Sequence, residues 1–207
     1  MNIAVFSSHN GSDLQAIIDA CNNGSINAKV CAVFSNNSDS RALIRASEAG
    51  IDNYHVSTIV YGSNEAMNAF ILRQLDHHKT DMIFLAGYLK KLGVEILKKY
   101  HNRVFNIHPA LLPKYGGQGM FGMNVHKAVI ASKDAVSGVT IHRVTEEYDA
   151  GEIVAQATVE VSSWETAESL AEKVLNREHQ FIVEVIKEII EGRIPLGDSA
   201  TLATGGI

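Results

Sequence analysis

At 207 residues, with 46% hydrophobic and 20% charged residues, the chain is long enough for one substantial core and reads as a single globular domain. A formal net charge of −5 argues against a nonspecific nucleic-acid binder, and no apolar run reaches membrane-spanning length. The N-terminus runs from Met1-Asn2 straight into a strand with no signal-peptide pattern, so the expected setting is cytoplasmic, with no membrane partner.

Ile3–Ser7 is an apolar run that predicts a strand, followed by the polar turn Ser8-His9-Asn10-Gly11-Ser12. From Asp13, the residues Leu14, Ile17, Ile18 and Cys21 recur at helical spacing, and Asn23-Gly24 closes the helix. Lys29–Phe34 is a second buried strand, Arg41–Ala49 a helix closed by Gly50, and Asp52–Val56 a third strand. Asn64–His78 is an amphipathic helix through Met67, Phe70, Ile71 and Leu75, with His77-His78 read as solvated surface. Met82–Ala86 is a continuously apolar strand of the kind found in parallel sheets, Val94–Tyr100 a helix and Val104–His108 a fifth strand. Cys21 and Cys31 fall in a helix and a strand without metal or redox spacing, and both read as buried reduced thiols.

The second half changes pattern. Lys114–Met123 is Gly-rich and predicts no regular structure, and a short helix follows over Val125–Ala131. Gly138–Val144 and Ile153–Val161 are strands separated by the acidic turn Thr145–Gly151, which predicts an antiparallel addition. A long helix is expected over Trp164–Ile190, with Ser163 as its N-cap and Gly192 as its stop. The expected fold is therefore α/β: a single-domain, open, twisted, mostly parallel sheet with helices on both faces and antiparallel strands in the C-terminal half. Residues 1–192 form the domain, and 193–207 a loosely held tail.

Two places carry chemistry. A strand, Asn10-Gly11-Ser12 and then a helix present backbone N–H groups to an anion, with Ser12 able to cap the helix and donate its hydroxyl. The same turn is also ordinary punctuation in this fold class. It lacks the Walker and G-x-G-x-x-G patterns, so it suits a phosphomonoester better than a dinucleotide.

The second place is Asn106-Ile107-His108-Pro109. Alternation along a strand turns Asn106 and His108 to one side, and Pro109 ends the strand there. If Asp149 folds back, the three side chains suit acyl transfer to an amine: donors for an oxyanion, plus a route for the amine proton. The plain alternative is a strand-end hydrogen bond for His108 and a turn-closing role for Asp149. His108, His126, His142 and Asp149 as a metal site lack any close ligand spacing, and no G-x-S-x-G elbow supports a serine hydrolase.

Taken together, Asn10-Gly11-Ser12, Leu14–Cys21, Ala32–Asn36, Leu85-Ala86-Gly87-Tyr88, Asn106–Tyr115, Gly138–His142 and Asp149-Ala150-Gly151 resemble the phosphoribosylglycinamide formyltransferases, folate-dependent enzymes of purine synthesis. The resemblance implies 10-formyltetrahydrofolate as co-substrate, glycinamide ribonucleotide as acceptor in de novo purine (IMP) biosynthesis, and no metal. It implies Asn106, His108 and Asp149 as catalytic residues. Gly11, Ser12 and Asp13 would hold the acceptor's phosphate, with Pro109 and Glu178 also on the acceptor. Leu85, Tyr88, Leu89, Lys90, Lys91, Leu92, Val144, Thr145, Glu146 and Tyr148 would line the folate pocket. A cis bond before Pro113 starts from a base rate of about 5% that only the resemblance raises, and monomer and homodimer both stay open.

Some residues depart from the family's usual pattern: His9 stands for glycine, Asp13 for asparagine and Lys90 for arginine, and Gly116–Asn124 is longer than in many members. A formyltetrahydrofolate deformylase usually adds an N-terminal domain, and a methionyl-tRNA formyltransferase a C-terminal one. Sugar-nucleotide formyltransferases share the catalytic trio but fit the Asn-Gly-Ser turn less well. A noncatalytic folate- or nucleotide-binding module is the reading from a different class.

Overall fold

The computed structural model describes residues 1–197. Short apolar segments with no polar face must be covered on both sides, and they build the middle of one seven-stranded sheet. In chain order the elements are β1 (Asn2–Phe6), α1 (Ser12–Asn22), β2 (Lys29–Ser35), α2 (Arg41–Glu48), β3 (Asn53–His55), α3 (Thr58–Tyr61) and α4 (Asn64–His77). There follow β4 (Met82–Leu85), α5 (Val94–Lys99), β5 (Val104–His108), α6 (Met123–Ser132), β6 (Val136–Arg143), β7 (Ile153–Glu160) and α7 (Ala167–Ile190). The strand order is β3-β2-β1-β4-β5-β6-β7; β3 to β5 pair parallel, and β6 and β7 join antiparallel.

Alternation along the strands divides the core into two layers. Ile3, Val5, Phe84 and Phe105 pack with Leu14 and Ile17 of α1 and with Val174, Ile182 and Ile186 of α7. Ala4, Phe6, Phe34, Ile83 and Leu85 pack on the other face with Ile71 and Leu75 of α4 and Ile96 of α5. The chain leaves β1 toward β2 and β3, then returns to β4 on β1's other side. That reversal opens a crevice at the carboxyl ends of the central strands, where open α/β sheets bind ligands.

Several local expectations need correction. Ser12 does not cap α1; it is the first helical residue, and Gly11 at φ 67° is the N-cap. A Cβ on Gly11 would lie 2.8 Å from that of Ala42, so both conformation and space demand glycine there. The last helix begins at Ala167, not Trp164. Thr166 accepts from Ser169 N–H while Ser169 Oγ accepts from Thr166 N–H, a reciprocal cap that Ser163 cannot match, and Trp164 stays 82% exposed. β6 starts two residues earlier than expected, and the one-turn helix α3 was not foreseen.

Cys31 is buried, whereas Cys21 is only half-buried. His78 is not solvated: its ring is tucked against Tyr54, 2.8 Å from the hydroxyl. The first part of the tail is docked, with Ile194 and Leu196 against the core and Arg143 Nη2 donating to the Pro195 carbonyl at 2.8 Å. The rest of that expected tail, 198–207, lies outside the described residues. The Leu112–Pro113 bond is cis. Among the described residues no helix is long and apolar enough to cross a membrane.

Candidate active site

β5 ends in the crevice, and its pairing with β6 decides what faces its polar residues. Asn106 stands opposite His142 and His108 opposite Thr140, so all four project from one face. Asn106 Nδ2 and His142 Nε2 are 3.0 Å apart, and His142 Nδ1 is 2.9 Å from the Arg143 carbonyl. A carbonyl only accepts, so Nδ1 carries the hydrogen. In the neutral ring Nε2 then accepts from Asn106, which keeps a second N–H available. In the protonated ring, Nε2–H can donate instead to Asp149 Oδ1, 3.4 Å away.

His108 is buried, and its Nε2–H donates to the Tyr115 carbonyl at 2.7 Å. Its Nδ1 is therefore turned toward Asp149 Oδ2, 3.7 Å away. Burial pushes the His108 imidazole below its usual range, the Asp149 charge and the Tyr115 carbonyl pull it back up, and His142 pushes it down again. Burial alone would raise the Asp149 carboxyl. His142 as a donor, a positive charge on His108 and the Gly117 N–H each favour the carboxylate; together they outweigh burial and place the group below the usual carboxylate range.

Asp149 reaches the site because its loop folds tightly onto β6. Asp149 itself is left-handed at φ 53°, and Gly117 N–H donates to its Oδ2 at 2.9 Å. A Cβ on Gly151 would lie 1.8 Å from the Arg143 carbonyl oxygen, so only glycine lets the Asp-Ala-Gly turn close. Thr140 anchors the segment after β5: its hydroxyl donates to the Ala110 carbonyl and accepts from Leu112 N–H.

These residues open onto a cavity of about 680 Å³. Its wall brings together every expected catalytic and folate-pocket residue: Asn106, His108, Asp149, Leu85, Tyr88, Leu89, Lys90, Lys91, Leu92, Val144, Thr145, Glu146 and Tyr148. Pro109, Asp13 and Glu178 line it too. Lys91 Nζ donates to the Glu146 carbonyl at 2.6 Å and lies 4.7 Å from the centre of the Tyr148 ring, joining the segment after β4 to the loop after β6. Gly11 and Ser12 line a neighbouring recess of about 430 Å³ with His9, Asn10 and Phe121–Asn124; Asp13, Gly87, Leu89, Phe121, Gly122 and Met123 are shared between the two.

Asp13 does not present an ordinary carboxylate to that recess. It is buried, its Oδ1 has no hydrogen-bond partner among the described residues, and His179 Nε2 lies 3.8 Å away. Burial pushes its carboxyl up to about 7, and burial together with the charge of Asp13 raises Glu178 well above the carboxylate range. His126 is buried beside the cavity, and burial lowers its imidazole. Among the described residues no group of three or more His, Cys, Asp or Glu side chains is arranged to hold a metal ion.

In the sequence His142 reads only as a metal candidate, and neither Tyr115 nor Gly117 reads as a partner of the site. The alternation Thr140-Ile141-His142 was a usable signal for His142, but only the β5–β6 register puts it against Asn106.

A sequence profile described as formyl transferase matches residues 1–186. The chain is 36% identical to the phosphoribosylglycinamide formyltransferase of Escherichia coli (strain K12), over 99% of this chain and 94% of that protein. It is 40% identical to the chloroplastic phosphoribosylglycinamide formyltransferase of Arabidopsis thaliana, covering 93% of this chain and 66%, just under two thirds, of the plant protein. Among solved structures it is similar to glycinamide ribonucleotide transformylase 1 from Symbiobacterium toebii, with TM-score 0.85 and 35% identity over 93% of this chain and 89% of the other. Fold, site and profile together define a formyl transferase. Within that class the chain belongs to the phosphoribosylglycinamide formyltransferase family.

Proposed function

We propose that this chain transfers the formyl group of 10-formyltetrahydrofolate to the amine of glycinamide ribonucleotide, with Asn106, His108 and Asp149 as its catalytic residues. The observation that carries the reading is their convergence on the wall of the larger cavity, which shares Asp13, Gly87 and Leu89 with the smaller recess, with one ring nitrogen of His108 turned to Asp149 and the other held by a backbone carbonyl. The larger, mostly apolar cavity suits a pterin and its aryl extension. The smaller recess at the α1 N-terminus suits the acceptor's phosphate, through the N–H groups of Gly11–Asp13.

In this mechanism the neutral amine attacks the formyl carbon, and a C–N bond forms as the carbonyl oxygen becomes an anion. Asn106 donates its available N–H to that oxygen. Asp149 accepts the amine proton and passes it to His108 Nδ1, so the ring becomes a cation beside the oxyanion. The proton then leaves to the folate N10 as the bond from N10 to the formyl carbon breaks. Burial keeps His108 neutral at rest and ready to accept.

The test is a stopped assay with 10-formyltetrahydrofolate, with and without glycinamide ribonucleotide, following tetrahydrofolate and formylated product. Turnover only with the ribonucleotide is the expected result. Folate release without it would identify a deformylase, and binding without turnover a noncatalytic module.

A further inference from the structure

His108, at the end of β5, and Asp149, in the turn after β6, are both gripped by one short segment. The Tyr115 carbonyl accepts from His108 Nε2–H at 2.7 Å, and two residues on, Gly117 N–H donates to Asp149 Oδ2 at 2.9 Å. Tyr115 sits at φ 60°, a left-handed conformation unfavourable for a side-chain-bearing residue, which persists where its surroundings over-determine it. Tyr115 packs against the core, and the polar contact of its hydroxyl is to Asp134, in the turn between α6 and β6. One oxygen, Oδ2, accepts from the Tyr115 hydroxyl at 2.7 Å and from Lys114 Nζ at 2.5 Å, and Lys114 Nζ lies 5.0 Å from the centre of the Tyr115 ring. Asp134 does not line the cavity.

We propose that Asp134 is a positioning residue for the catalytic pair: through Lys114 and Tyr115 it fixes a strap over residues 114–117 that selects the Nε2–H tautomer of His108 and orients Asp149. The selection has an opponent. A carboxylate near Nδ1 favours a proton on Nδ1, and that tautomer could not receive the amine's proton there. Tyr115's carbonyl, at the shorter distance, overrides this only while the strap is held in register. An exposed Lys–Asp pair alone would be worth little, but the Tyr115 hydroxyl bond is directional and anchors the residue that carries the acceptor. The titratable groups facing His108 are Asp149 after β6, His142 on β6 and His126 on α6. Asp134 accepts its hydrogen bonds from Lys114 and Tyr115, not from any of these three.

The rate readout rests on the transferase reading; the tautomer readout does not. In the full-length protein with 15N-labelled histidine, two-bond proton–nitrogen spectra taken above the imidazole titration distinguish Nε2–H from Nδ1–H rings. The chain has nine histidines, so His108→Gln assigns the signal. Wild type is expected to show His108 as Nε2–H, and Asp134→Ala and Tyr115→Phe to gain the Nδ1–H form. Both variants should lose about ten- to a hundredfold in kcat with KM nearly unchanged, as expected of misplacement rather than lost binding. Their double variant should be no worse than either alone, and Asp134→Glu should recover part of the rate. Losing the Tyr115 bond removes a contribution that raises the His108 value, so the acid limb of kcat/KM should move to lower pH.

An Asp134→Ala protein that keeps the Nε2–H tautomer overturns the proposal, whether its rate is unchanged or falls only with its folded fraction by circular dichroism. A tautomer shift in a chain with no formyl transfer in the wild type would topple the transferase reading and leave the strap standing.

Discussion

Asn106 and His142 face each other across antiparallel strands, and the amide of one donates to the imidazole of the other over 3.0 Å. The contact decides which end of the Asn106 side chain is committed and which N–H remains for an oxyanion. His142 is in turn fixed by the Arg143 carbonyl at its other nitrogen, so orientation passes from the β6 backbone through two side chains to the cavity.

It follows that His142→Ala leaves Asn106 free to rotate and present its carbonyl, an acceptor, to a developing anion. The expected result is a fall in kcat of about a hundredfold with a small change in KM, the signature of lost transition-state stabilisation. Steady-state kinetics on a variant shown to be folded by circular dichroism checks it; a rise in KM at constant kcat would reduce His142 to a binding role.

In the proposed mechanism, Asp149→Asn removes the proton relay but keeps the side chain's shape. Turnover should drop by about two to four orders of magnitude. The stability effect has a definite sign. The folded-state value of Asp149 is depressed, so its charged form stabilises the fold above the ordinary carboxylate range, and that contribution fades as pH falls through the folded value. Thermal melts should therefore show the variant less stable at neutral pH and converging with wild type in acid. A gap in Tm that does not narrow would point to lost packing instead.

Much of this architecture was legible in the chain. Buried strands such as Met82–Leu85 are apolar on both faces, and the Asn106/His108 alternation put two polar groups on one side of a strand end. What stayed hidden depends on pairing across long sequence separations. His142 needed the β5–β6 register, and the burial of Asp13 needed α7 laid over α1. The grip of Tyr115 on His108 is a backbone contact that no side-chain pattern encodes. The cap errors are local: Ser163 and Ser12 are good capping residues, displaced by a better reciprocal pair at Thr166/Ser169 and by the close approach of Ala42 to Gly11.

Asp13→Asn should make the protein more stable in base and little changed in acid. Asp13 shifts from its ordinary 3.8 to about 7 through burial, so between those values the folded state holds a proton that the unfolded state has released. Stability then falls as pH rises through that window, and asparagine does not titrate. The groups around it are Glu178 and His179 on α7, with Arg45 of α2 acting on His179, and none is close enough to neutralise it fully. Melts from pH 4 to pH 8 should show the Tm difference opening with pH. Inorganic phosphate, titrated calorimetrically, should lose affinity for wild type above about pH 7 more steeply than for the variant. Parallel curves for both proteins would place the Asp13 proton elsewhere.

Gly151→Ala tests whether the role proposed for Asp149 depends on its position as well as its chemistry. The added methyl meets the Arg143 carbonyl oxygen, a backbone atom that cannot swing aside, so the turn must lift away from β6. Lifting it breaks the bond from Arg143 N–H to the Glu152 carbonyl at 2.8 Å and draws Asp149 from His108 and Gly117 together. Overpacking of this kind costs about 1–3 kcal/mol, which a domain of this size survives. Activity should fall about as far as in Asp149→Asn, although every side chain of the proposed mechanism is still present. Near wild-type turnover in a folded Gly151→Ala protein would mean the loop finds its register without the close approach. The tight turn would then be one solution among several for delivering the carboxylate.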